Sequence, residues 1–232
     1  MSKPLPTDAL LVPRVTDALL VPGLADALLV IDMQLDFLPS TSGIGGALAV
    51  ADGNAILPGI NALAAKFPHV ILTQDWHPRG HISFASTHGL QPFTDTVEAA
   101  YGTQTLWPDH CIQGSPGAQL HPDLDIPHAE LILRKGFRRD IDSYSAFTEN
   151  DAATPTGLAG YLRERGLTRL FFTGLAYDFC VGFSALAAAR LGFESLVVED
   201  LSRAVNLPGT VEKTNNAFAA ANVQRILTTD IF

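Results

Sequence analysis

Short, uninterrupted apolar runs alternate with helical patterns along most of this chain. No other feature limits its fold as tightly. The runs lie at 27–32 (ALLVID), 69–74 (HVILTQ), 130–135 (ELILRK), 169–174 (RLFFTG), 195–200 (SLVVED) and 224–229 (QRILTT). Between them, 54–66, 155–165, 180–191 and 209–221 read as helices, with Gly166 and Gly192 placed where helices stop. A strand that is apolar throughout is buried on both faces, and strands that alternate with helices pair in parallel. The pattern predicts an α/β fold of three layers, a mostly parallel sheet with helices on both faces. With 232 residues, 47% of them apolar and 17% charged, the chain can bury a sizeable core. The segment 75–129 is proline-rich and shows little periodicity. A connection that long in a compact domain is usually functional.

The N-terminus carries a repeat. Asp-Ala-Leu-Leu-Val begins at Asp8, Asp17 and Asp26. The period of nine residues matches no common solenoid and stops after three copies. Pro13 and Pro22 interrupt the first two copies, where they would limit a central strand. Only the third runs on into Ile31 and Asp32. Residues 1–25 are therefore read as an extension and 26–232 as a single α/β domain.

Charge and cysteine usage narrow the partners. A net charge of −9 argues against nucleic acid or an anionic membrane surface. No apolar run approaches a membrane span, and the first residues lack a secretory pattern. Two cysteines, Cys111 and Cys180, offer no disulfide framework and suit a reducing, cytoplasmic setting.

The reactive residues fall on one edge of the expected sheet. Asp32 ends the first strand, Asp75 follows the second, Lys135 ends the third, and Cys180 follows the fourth. Ligands bind at the carboxyl edge of such sheets. Charged residues at strand ends are common, but four of reactive type on one edge favour a site. Cys180 is expected to open a helix, where the helix N-terminus and a nearby lysine would favour its thiolate. The competing reading is an inert buried cysteine. Asp32 could accept the thiol proton, and Lys135 could balance the charges. The N–H groups of Ala176 and Cys180, in the turn GLAYDFC, could stabilise an oxyanion.

A second constellation is DWHPRGH, which offers Asp75, His77 and His81, with His110 following in WPDHC. Imidazoles with a carboxylate suit a divalent transition metal, against the plainer reading of a histidine-rich surface loop. His69, His121 and His128 stand alone, and Cys111 is assigned to packing. The stretch SGIGG (42–46) does not join a strand to a helix and reads as a loop. Phe37, Trp107 and Tyr144 lie near the motifs and would wall a planar substrate.

Five blocks carry a resemblance: VIDMQLDF, DWHPRGHISFASTH, LWPDHCIQGSPGAQLHP, KGFRRDIDSYSAF and GLAYDFCVGFSALAAARLGF. Together, from about Ala27 to the C-terminus, they resemble the nicotinamidase/pyrazinamidase branch of the isochorismatase-like cysteine hydrolase superfamily. The resemblance implies a six-stranded sheet, a triad of Asp32, Lys135 and Cys180, and a cis bond before Ala176 that aims the amides of Ala176 and Cys180 at an oxyanion. It implies a metal held by Asp75, His77, His81 and His110, zinc before iron or manganese. Phe37 and Trp107 would flank a pyridine ring, with Tyr144 as a further pocket residue. The implied reaction hydrolyses nicotinamide, and pyrazinamide with it, to the acid and ammonia in NAD salvage. Assembly into a homo-oligomer stays open. Tyr177 departs from the pattern, standing where a threonine is frequent. Two rivals remain: a sister amidase for carbamoyl or ureido compounds, and a metal-binding protein without turnover.

Overall fold

The computed structural model of the chain describes residues 19–40 and 43–232. The first copy of the repeat, Asp17 of the second, and Ser42 of SGIGG lie outside the described residues. In chain order the elements are β1 (Asp26–Ile31), α1 (Leu57–Ala64), β2 (Val70–Asp75), the single turn α2 (Ala85–His88), β3 (Thr96–Ala99), β4 (Gly102–Thr105), β5 (Leu131–Lys135), α3 (Leu158–Glu164), β6 (Arg169–Leu175), α4 (Gly182–Arg190), β7 (Glu194–Arg203), α5 (Thr210–Ala221) and β8 (Gln224–Ile226).

Six strands form the main sheet in the order β5-β2-β1-β6-β7-β8, and every neighbouring pair is parallel. From β1 the chain first builds outwards through β2 to β5. It then crosses back to the other side of β1 and builds β6, β7 and β8. The order thus reverses between β1 and β6. Connections leave these two strands in opposite directions, which opens a crevice at their carboxyl ends. The two strands lie close together there. Gly174 adopts φ +107°, and a Cβ at that position would overlap the backbone of Ile31.

Every residue of β1 and β2 is buried. Successive residues alternate between two cores, as a strand's period of two dictates. Leu28 and Val30 pack with Leu72, Phe171 and Leu196 against Ile60 and Leu63 of α1. Ala27, Leu29 and Ile31 pack with Phe172 and Val197 against Leu158 and Leu162 of α3, Ala185 and Ala188 of α4, and Phe218 of α5. Each fully buried leucine or phenylalanine contributes about 1.5–3 kcal/mol. Leu29→Ala would lose that and leave a cavity besides, at a cost of about 2–5 kcal/mol.

The sequence reading needs two corrections, in the long connection and in the last two strands. The segment 75–129 is not free of regular structure, since it holds the antiparallel hairpin β3–β4. β7 is longer than read and β8 ends at Ile226. The chain also pairs with the domain before β1. The Leu20 amide donates to the Asp230 carbonyl at 2.8 Å, and the Leu20 carbonyl accepts from Phe232 at 2.9 Å. Among the described residues no helix is long and apolar enough to cross a membrane.

Candidate active site

The sheet register assembles the charges. Asp75 ends β2 directly opposite Lys135, which ends β5. Asp32 follows β1 by one residue, and Cys180 lies between β6 and α4. The Lys135 ammonium stands among them. Its Nζ is 2.8 Å from Asp32 Oδ2, 3.1 Å from the Ser143 carbonyl and 3.3 Å from Cys180 Sγ, and it donates to Asp75 Oδ1. Lys135 is 1% exposed and Asp32 0%. Donor atoms of Asp32, Asp75 and Cys180 lie within 4.8 Å of one another. That triangle is no metal site, because the ammonium already fills it.

One cation between two buried carboxylates leaves an excess of negative charge in a low dielectric. The two acids resolve this differently. Burial pushes the Asp32 carboxyl up, and Lys135 only partly offsets it. Burial works on Asp75 too, but Lys135 and His77 outweigh it and hold that carboxyl well below the usual range. Two acids drawn apart in this way can take different roles. Asp32 is also fixed in place. Thr73 Oγ1 donates to its Oδ1 at 2.6 Å and accepts from its amide at 3.1 Å. Asp32 has φ +49°, an uncommon conformation for a residue with a side chain.

Cys180 does not open α4, as read from the sequence. It lies in a wide π-helical turn, Tyr177–Val181, that leads directly into α4 at Gly182. The expectation that its surroundings favour the thiolate also fails. Burial pushes the thiol well above its ordinary value, and Lys135 does not compensate. The resting group is a thiol 6% exposed, with a buried carboxylate near it. The Leu175–Ala176 bond is cis. Among the hydrogen bonds that join different elements of the described residues, none uses the N–H of Ala176 or of Cys180.

Asp75 links this cluster to the histidines. Its Oδ2 lies 3.4 Å from His77 Nε2 and 3.8 Å from His110 Nε2. The other nitrogens are anchored: His77 Nδ1 donates to the Gly136 carbonyl at 2.8 Å, and His110 Nδ1 to the Pro108 carbonyl at 2.7 Å. A carbonyl can only accept, so each Nδ1 carries a proton, and Nε2 is left as the atom that can offer a lone pair to a metal once it is deprotonated. Ligands about 2.0–2.1 Å from a tetrahedral zinc stand roughly 3.3–3.4 Å apart, close to the spacing seen. The residues present therefore fit a divalent transition metal. Gly136, at φ +63°, leaves room for the His77 ring, which a Cβ there would strike.

His81 is placed differently. It stacks on His77 with ring centroids 4.1 Å apart. Its Nδ1 pairs with Ser83 Oγ at 2.7 Å and its Nε2 with the Ile141 carbonyl at 3.2 Å. A ring nitrogen of His81 converges with one of His77 and with a carboxylate oxygen of Asp142, and His81 is not part of the group that holds Asp75. Burial, then the neighbouring His77, pushes His81 and His110 down to about 4. For His77 burial is outweighed by Asp75, and its pKa rises.

Between the two clusters lies a small pocket walled by Phe37, Trp107, Tyr144, Phe179 and Val205, with Cys180 and His77 at its base. Phe37 rests 5.4 Å from His110. Trp107 Nε1 and Gln104 Nε2 each donate to the Tyr144 hydroxyl at 3.0 Å. The three aromatic walls read from the sequence therefore all reach the pocket. Tyr177 does not. It turns away to bond Asn215 at 2.6 Å and to rest on Phe218. Cys111 is buried as read, and its carbonyl accepts the His77 amide at 3.0 Å.

The sequence reading missed Thr73, Gln34, Asp142 and Phe179. Gln34 ties the loop after β1 to the end of β2, since its side chain bonds both the amide and the carbonyl of Asp75 at 2.8 Å. Phe179 had a signal, as the neighbour of Cys180. Thr73 had only its place in β2, two residues before Asp75.

Comparison with known proteins shows the family. An isochorismatase domain model matches residues 26–230. A nicotinamidase from Acinetobacter baylyi is 50% identical over 203 residues, which span 87% of this chain and 92% of that protein. The structure of L. infantum PnC1 in complex with nicotinate superimposes with a TM-score of 0.79 at 39% identity, covering 93% of this chain and 98% of that one. The pyrazinamidase of Pyrococcus horikoshii in complex with zinc gives 0.70 at 31% identity, covering 88% and 99%.

Proposed function

The chain belongs to the isochorismatase domain family, and on that premise we propose that it is a cysteine amidohydrolase converting nicotinamide to nicotinate and ammonia. One observation carries the reading above the others. A single buried ammonium, Lys135, bonds a carboxylate that can act as base, a thiol that can act as nucleophile, and the carboxylate that faces the histidines.

The pyridine ring lies between Phe37 and Trp107, and its carboxamide carbon meets Cys180. Asp32 takes the thiol proton as sulfur attacks. Burial raises the basicity of Asp32, which suits a general base. The carbonyl electron pair moves to oxygen, and that oxyanion accepts from the N–H groups of Ala176 and Cys180. Asp32 returns the proton to the amide nitrogen, the C–N bond breaks, and ammonia leaves a thioester. Water attacks that thioester and gives its proton to Asp32. The C–S bond breaks, the proton on Asp32 returns to Cys180, and nicotinic acid leaves and gives its remaining proton to solvent as nicotinate. Lys135 stays charged throughout and offsets the negative charge that moves between Asp32, sulfur and oxygen.

Asp75, His77 and His110 would hold a divalent metal, with His81 beside them. Their nitrogen and oxygen donors favour zinc, with iron or manganese as alternatives. When bound, such an ion supplies a Lewis-acid anchor for the pyridine nitrogen. Pyrazinamide presents a ring nitrogen and a carboxamide in the same relation, so it is a second substrate. The role is NAD salvage, in the cytoplasm. A carbamoyl or ureido amidase would not need the histidine cluster, and a metal-binding protein would not need Cys180 beside Lys135.

The test is ammonia release from nicotinamide by the metal-loaded protein. Cys180→Ala should abolish release while keeping the metal. No release by the wild type, or full release by Cys180→Ala, would sink the reading.

A further inference from the structure

The reaction pocket is narrow and open to one side, with about 30 Å³ of free space. That is room for about one water molecule, and a pyridine carboxamide needs several times as much. The space in front of Cys180 is narrow in this conformation, so a wall that yields would ease the entry of a ring. Most of the walls are buried side chains in the packed core. Three are half-exposed: Tyr144, Phe179 and Val205.

Two of these three are tied down. The Tyr144 hydroxyl accepts from both Trp107 and Gln104 at 3.0 Å. The backbone at Val205 and Asn206 donates to the two carboxylate oxygens of Asp178, at 2.9 Å each. The Phe179 ring has no polar tether. It touches Trp107 and Tyr144 only edge to face, with centroids 4.9 and 5.5 Å away. It also has somewhere to go. A separate groove of about 460 Å³ adjoins the pocket, lined in part by Phe183, Leu186 and Leu207, and both Phe179 and the tethered Tyr144 line the two spaces. Rotation of the ring would exchange one set of apolar contacts for another, at small cost.

From this we infer that Phe179 is the gate and size filter of the reaction pocket: substrate enters and leaves as its ring swings into the neighbouring groove. The inference rests on the nicotinamidase reading. Phe179 touches no group that changes covalency. It sets the rate of access and the width of ring that the pocket accepts.

The experiment compares kcat/KM for nicotinamide and for 5-phenylnicotinamide. The wild type should reject the bulky ring strongly. Phe179→Ala should reduce that discrimination at least tenfold, and Phe179→Leu by an intermediate factor. Should Phe179→Ala fail to fold, Phe179→Leu is judged by the same ratio. A second readout follows Trp107 fluorescence as nicotinamide binds the unreactive Cys180→Ala protein. Association should quicken at least fivefold when Phe179→Ala is added, and slow when Phe179→Trp is added. Unchanged discrimination and association, with full nicotinamide turnover, would overturn the gate alone. No ammonia from nicotinamide with the wild type would overturn the reading of function, and the gate with it.

Discussion

Replacing Lys135 with methionine tests the electrostatic arrangement at its centre. The substitution keeps the bulk of the side chain and removes its charge. Asp32 and Asp75 then lose the one buried cation they share, and the Ser143 carbonyl loses a donor. Removing one partner from a buried ion pair typically costs about 3–5 kcal/mol, because the other charge stays buried without compensation. In a chain of this size that lowers Tm by roughly 6–20 °C. The loss should depend on pH. Burial already raises the folded-state pKa of Asp32 above its unfolded value, and losing Lys135 raises it further. An acid shifted upwards binds its proton more tightly when folded. The folded protein therefore loses stability relative to the unfolded chain as pH climbs from the ordinary carboxylate value towards the raised one. Lys135→Met should be least destabilised in acid, with a deficit that widens towards neutrality. Asp32→Asn added to Lys135→Met should restore part of the stability, a coupling of about 0.5–3 kcal/mol. Calorimetry of metal-free wild type, both single variants and the double variant between pH 5 and 8 measures all of this. A Lys135→Met protein within about 0.5 kcal/mol of wild type at neutral pH, or no recovery in the double variant, would refute the reasoning.

Other outcomes follow from the same geometry. The Cys180 thiol is held well above its ordinary value by burial, so iodoacetamide inactivation of the resting protein should keep accelerating above pH 8, and a plateau below pH 7 would contradict this. His77→Ala and His110→Ala should lose metal outright by elemental analysis. His81→Ala should keep it with about 10–100-fold weaker affinity, since its nitrogens face Ser83 and Ile141 rather than Asp75; equal losses in all three would place His81 in the primary shell. Deleting residues 1–20 should leave ammonia release intact. It removes the two Leu20 backbone bonds to the C-terminus and should cost about 1–3 kcal/mol of stability. A loss of turnover would mean the extension supports the site.

Much of this was legible in the sequence, for physical reasons. A parallel strand covered on both faces must be apolar throughout, so ALLVID, HVILTQ and RLFFTG mark themselves. The polar residue that ends each run then lies on the carboxyl edge, which is how Asp32, Asp75 and Lys135 could be grouped. Less of the long connection could be read. The strands β3 and β4 are half-exposed and four residues each, too short and too polar to show a period. The state of Cys180 was misjudged because helix position and lysine proximity can be inferred from sequence, whereas burial cannot, and burial is the larger effect. Spacing and the family resemblance both group His81 with Asp75, whereas the direction of its nitrogens depends on Ser83 and on the distant Ile141 carbonyl. Phe179 could be located beside the nucleophile, yet its freedom to move is set by the groove beside it.

The central claim is that Cys180 becomes covalently acylated in turnover. Rapid acid quench of the metal-loaded protein with nicotinamide, followed by mass spectrometry of the peptide containing Cys180, tests it most directly. The account predicts a nicotinoyl group on Cys180, formed with loss of ammonia and absent from Cys180→Ala. Steady ammonia release without that adduct, persisting in Cys180→Ala, would contradict it.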